Sequence, residues 1–132
     1  MTGVARWFFA VAVLSILIGM GWGIQMAATH DHTLSPAHGH LNLIGWVSFG
    51  LMGLYYHLVP QAAGRLAKVH FAVATLGLVA IVPGIALATS GQGEGLAIAG
   101  SFLTLAGMVI FAVVVLRSGV PQGAAPRGVP AE

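Results

Sequence analysis

Four runs of mostly apolar residues, each separated from the next by only a short polar break, constrain this chain more than any other feature. They cover residues 7–26, 37–59, 69–88 and 96–116. A helix needs ~20 such residues to cross a bilayer. Hydrogen bonding in lipid leaves little alternative, because a helix satisfies its own backbone polar groups there. The spacing therefore predicts an all-α polytopic membrane protein, a single four-helix transmembrane domain over residues 1–117. Residues 118–132, rich in Pro, Gly and Ala, are expected to form a disordered cytoplasmic tail. The first run exceeds the ~7–15 residues of a signal-peptide core, so it reads as a membrane helix.

Composition excludes the main alternatives. Charged residues are 6% of the chain and hydrophobic ones 58%, against roughly 25% charged in soluble domains. A water-soluble globule and a disordered chain do not fit. A net charge of +2 from five scattered cations makes no phosphate-binding stripe, so no nucleic-acid partner is expected. The absence of cysteine excludes disulfides, thiolate metal sites, iron–sulfur clusters and covalent CxxCH haem attachment.

The cations also give an orientation. Arg6 precedes the first run, Arg65 and Lys68 lie in the second break, and Arg117 and Arg127 follow the fourth run. With four spans these regions share one side, the cytoplasm, by the positive-inside rule. Both termini are then cytoplasmic in a bacterial inner membrane. Asp31 and Glu94 fall on the outer side. Gly19 with Gly23, and Ala80 with Gly84, are small-residue pairs that favour tight helix contact.

Six histidines make the next strongest signal, since ionisable residues within membrane spans are functional candidates. His30, His32, His38 and His40 cluster in the first break and at the entrance of the second run. Pro36 is expected in the first turn of that helix, with Ser35 as its cap. Residues two apart on a regular helix point about 200° apart, so His38 and His40 should serve different neighbours. Asn42, Gly45, Phe49, Met52, Gly53 and Tyr56 are expected beneath His38, and Val47, Leu51, Leu54 and Leu58 beneath His40. Neutral imidazole suits iron, copper or zinc. His30 and His32 could join the pair in an outer copper or zinc site, with Met26 and Met52 as softer ligands along a path. His57 and His70 lie at the opposite end and read as structural or interfacial, either paired with each other or meeting the membrane interface.

The stretch from Ala37 to Gly84 resembles part of subunit I of the haem–copper oxidases. An Ala-His-x-His sequence opens a helix, Gly-x-Tyr-Tyr and a Pro close it, a short basic loop with Gly-Arg follows, and Lys-x-His-Phe opens the next helix. The resemblance implies that His38 takes the place of the axial ligand of the high-spin haem and His40 that of a ligand of the low-spin haem. It implies that His70 is not a haem ligand. The copper ligands of that family, including its adjacent His-His pair, have no counterpart here, so no complete binuclear centre and no oxygen-reducing enzyme is expected. The family subunit is built as three arcs of four helices, and this chain supplies one. A homotrimer would restore twelve helices, with His38 and His40 of adjacent subunits holding haem b for electron transport or redox sensing. Two other readings stand beside this one: a copper- or zinc-handling protein using the outer histidines, and a cofactor-free accessory subunit of an oxidase.

Overall fold

The computed structural model describes residues 1–119. Among them there is no strand. In chain order, α1 spans Gly3–Thr29, α2 Ser35–His40, a π-helical segment Leu41–Ser48 and α3 Phe49–Leu58. A 3-10 turn at Pro60–Ala62 leads into α4, Arg65–Thr89, and α5 follows at Gly95–Ser118. Three helices, α1, α4 and α5, are long and apolar enough to cross a membrane.

The second apolar run is a composite rod. His40, Leu41, Ser48 and Phe49, the residues at the two junctions, all hold right-handed helical angles. The backbone therefore passes from α2 through the π segment into α3 without a turn. Within that segment the Ser48 hydroxyl donates to the Leu43 carbonyl five residues back, at 3.0 Å.

Helix ends extend past the apolar runs. Ser118, assigned to the tail by composition, is the last residue of α5; the rest of the expected disordered segment, residues 120–132, lies outside the described residues. Ser35 does not cap α2. Leu34 holds the cap position, and the Ser35 hydroxyl donates to the His32 carbonyl at 2.8 Å. The turn closed by the Ser35 N–H on the same carbonyl starts the helix one residue early. Pro36 then sits in the first turn, where its missing N–H costs nothing.

Between lipid-bathed helices there is no apolar driving force, so association rests on close contact. α4 and α5 achieve it through glycine. A methyl at Gly77 would meet the backbone and methyl of Thr104, one at Gly84 the backbone of Ala97, and one at Gly100 the backbone of Ile81. α1 and the composite rod meet at Gly53, which lies against the Phe9 nitrogen and Ala5 oxygen, and at Gly45, which lies against Ser15. The Gly19–Gly23 pair works differently: its missing side chains make room for the side chains of Asn42 and His38.

One end of the bundle is knitted by rings. Phe8 of α1 lies 5.2 Å from Phe49 and 5.5 Å from Tyr56 of the rod, and 4.9 Å from His70 and 5.0 Å from Phe71 of α4. Phe111 of α5 stacks on His70 at 5.3 Å. Such ring pairs contribute roughly 0.5–1.5 kcal/mol each beyond area burial. Arg6, Arg65, Lys68 and Arg117 lie toward this end, where α1 and α4 begin and α5 finishes, whereas Asp31 and Glu94 sit in the loops at the other. The outward faces are apolar, with Trp7, Ile24, Leu43, Val79, Phe102 and Leu116 all exposed, as suits a surface solvated by lipid.

Candidate functional site

His38 and His40 leave α2 in opposite directions. His38 is half-buried and turns toward α1. Its Nε2 lies 3.0 Å from the Gly19 carbonyl oxygen and 3.0 Å from Asn42 Nδ2. It can serve one of the two: protonated, it donates to Gly19; bare, it accepts from the Asn42 amide. Either way Nε2 is satisfied inside its own chain. Trp22 meets it edge-on at 6.0 Å, and Gly23 leaves the space in which it lies. Asn42 Oδ1, beside Gly19, is buried without a partner.

His40 is exposed and points the other way. Its Nδ1 lies 2.8 Å from the Pro36 carbonyl oxygen. Only a protonated Nδ1 makes that bond, which leaves Nε2 as a bare lone pair. A backbone carbonyl on one ring nitrogen is the arrangement that orients metal-ligating histidines through the other. His40 lines a half-open cleft of about 370 Å³ between the composite rod and the α4–α5 pair, within the ~300–1,000 Å³ typical of ligand sites. Ile44, Ser48, Phe49 and Met52 of the rod share this wall, faced by Ala74 and Ile81 of α4 and by Ser101, Thr104 and Met108 of α5. No second imidazole lines it.

The face beneath His40 differs from the expected one. Val47, Leu51, Leu54 and Leu58 are exposed on the outer surface, and the cleft instead takes Ile44, Ser48, Phe49 and Met52. The cause is the π segment. Its wider turns break the 3.6-residue period on which the expectation rests. Of the residues expected beneath His38, Gly45, Phe49, Met52, Gly53 and Tyr56 are buried and Asn42 is half-buried.

The remaining histidines divide by position. His30 closes α1 in the left-handed conformation, and both it and His32 are exposed in the following loop. Between them the Asp31 carboxyl is held below its ordinary value, mainly by a hydrogen bond from the Thr33 side chain and next by the Thr33 N–H. Among the described residues no three His, Asp or Glu side chains converge in a way that could hold a metal, so the structure does not bring His30, His32, His38 and His40 together. Met26 and Met52 are both buried. His57 is exposed, and His70 is fully buried, so the two do not pair. His70 Nδ1 instead lies 2.9 Å from the Tyr56 hydroxyl, and its Nε2 has no partner. Nothing in the composition flagged Tyr56. The short break at 60–64 could have, since it folds the end of the rod back against the start of α4.

By its architecture this is an all-helical protein with helices of membrane-crossing length. A specific likeness narrows that class. Over 60 residues the chain is 37% identical to the cbb3-type cytochrome c oxidase subunit CcoN1 of Stutzerimonas stutzeri. The match covers 40% of this chain and 13% of that subunit, so the chain spans only a small part of its relative's length. Neither a family model nor a solved structure matches the chain.

Proposed function

We propose that this is a small four-pass membrane haem b protein for electron transfer or redox sensing, in which His40 of one subunit and His38 of the next supply the two axial ligands within a homotrimer. The observation that carries this reading is the His40 ring. Pro36 fixes its orientation through Nδ1, and the residue lines a largely apolar cleft that contains no other imidazole. One chain thus offers one oriented imidazole per cleft, and a second must come from elsewhere. His38, on the opposite side of the same turn, is the available donor once its ring swings off Gly19. Likeness to an oxidase subunit in part of its length favours haem over other groups. Haem would supply a one-electron couple, and two histidines on the iron would leave no open position for gas activation. The residues lining the cleft would tune that couple through apolar burial and the nearby Ser48, Ser101 and Thr104 hydroxyls. We place both termini on the cytoplasmic side of a bacterial inner membrane, following the cation distribution.

The test is the visible spectrum of the full-length protein purified in detergent, with iron and copper quantified and the mass of the assembly measured. Sharp reduced α and β bands, lost in both His38→Ala and His40→Ala, with three chains per particle, are the expected result. Stoichiometric copper or zinc without iron would replace this reading with metal handling at the outer histidines. A colourless, metal-free protein that co-purifies with oxidase chains would make it an accessory subunit.

A further inference from the structure

The cation-bearing end of the molecule carries a second groove, remote from the histidine turn and independent of the haem reading. It lies between the first turns of α1 and α4 and is lined by Gly3, Val4, Trp7, Lys68 and Phe71, with a volume of about 570 Å³. Its chemistry is polarised. Lys68 is exposed at the level of the helix ends, whereas Val4, Trp7 and Phe71 give it apolar walls. Trp7 is 63% exposed. Indoles favour the headgroup level of a bilayer, where one edge is wet and the other apolar. Among the described residues the only carboxylates, Asp31 and Glu94, lie in the loops at the opposite end, so no described acidic group competes for the Lys68 ammonium.

We infer that this groove is a binding site for one anionic phospholipid, with its phosphate on Lys68 and an acyl chain along Trp7 and Phe71. A partner helix fits less well. It would present an apolar side chain or a backbone to Lys68, whereas a phospholipid presents an anion at the same level as its apolar chain begins. The charge of the site and its position at the headgroup level match the two ends of that one molecule.

Native mass spectrometry of the full chain in detergent, titrated with palmitoyl-oleoyl phosphatidylglycerol or with the corresponding phosphatidylcholine, reads the site directly. We expect one phosphatidylglycerol to be retained in preference to phosphatidylcholine. Lys68→Gln should lower its retention about five-fold, the effect of one basic residue near an anionic surface, and Lys68→Arg should restore most of it. Arg117→Gln removes the same charge outside the groove and should change retention little. Equal retention of the two lipids overturns the proposal, as does an equal loss in Lys68→Gln and Arg117→Gln, which would mean diffuse attraction rather than a site.

Discussion

The two halves of this bundle use the same residue type in opposite ways. At the cation-bearing end His70 is sealed by Phe8, Phe111 and Tyr56, with one nitrogen bonded to a hydroxyl and no exposure at all. At the other end His40 lines a half-open cleft between the composite rod and the α4–α5 pair. Of the two imidazoles there, His38 is engaged by the Gly19 carbonyl of α1 or the Asn42 amide, and His40 is oriented by its own helix through Nδ1. Histidine content alone therefore does not locate chemistry in this chain. What separates the halves is whether a ring's unpartnered nitrogen is open: His70 Nε2 is buried without a partner, whereas the His40 ring is exposed at a cleft.

Breaking the comparison at its sharpest point gives the largest effect. Under the proposed function, His40→Ala should abolish the haem bands while the secondary structure, read by circular dichroism, stays intact, because the ring is exposed. His70→Phe should leave the same spectrum in place. If His70→Phe removes the bands and His40→Ala does not, the assignment of roles is reversed. The next effect concerns the frame on which both halves hang. Gly84→Leu drives a side chain into the Ala97 backbone and should cost about 3 kcal/mol or more, at the upper end of overpacking penalties, read as a loss of α4–α5 association in denaturing detergent.

Tyr56→Phe sharpens the contrast on a smaller scale. It strips His70 of its one hydrogen-bond partner and leaves both ring nitrogens unpaired in a buried site, so a loss of about 1–3 kcal/mol in stability is expected. Adding His70→Phe to Tyr56→Phe should recover part of that loss, since two matched apolar groups leave no polar atom stranded. Ser35→Ala should be smallest, within about 0.5 kcal/mol, because its hydroxyl bonds an exposed carbonyl and does not cap the helix. A cost of 1 kcal/mol or more, typical of a true cap, would show that Ser35 caps in the membrane after all.

The sequence made the membrane class, the helical class and the divergence of His38 from His40 legible for one reason. Each depends on a short-range rule applied inside a regular element: run length for α1, α4 and α5, and the 100° step within α2. The same rule did not place the wall of the His40 cleft, which takes Ile44, Ser48, Phe49 and Met52 rather than Val47 and Leu51, because a π segment carries no apolar signature distinct from an α-helix. The Tyr56–His70 bond was not legible, since it joins two elements through a turn whose geometry no periodicity encodes. Gly19 was read as a helix-to-helix contact. It is a pocket for a polar side chain, and a spacing of four residues does not distinguish those two uses.

The hold of Gly19 on His38 bears on the order in which such an assembly is made. In the proposed trimer, a newly inserted subunit would present His40 at the cleft while His38 Nε2 is already engaged by Gly19 or Asn42 of the same chain. Lone subunits would then have only one of the two proposed ligands ready to take a cofactor. Under the proposed function the second ring would be released only where a neighbour and a ligand together outcompete its contacts to Gly19 and Asn42, so completion of the site and association of the chains would become a single event.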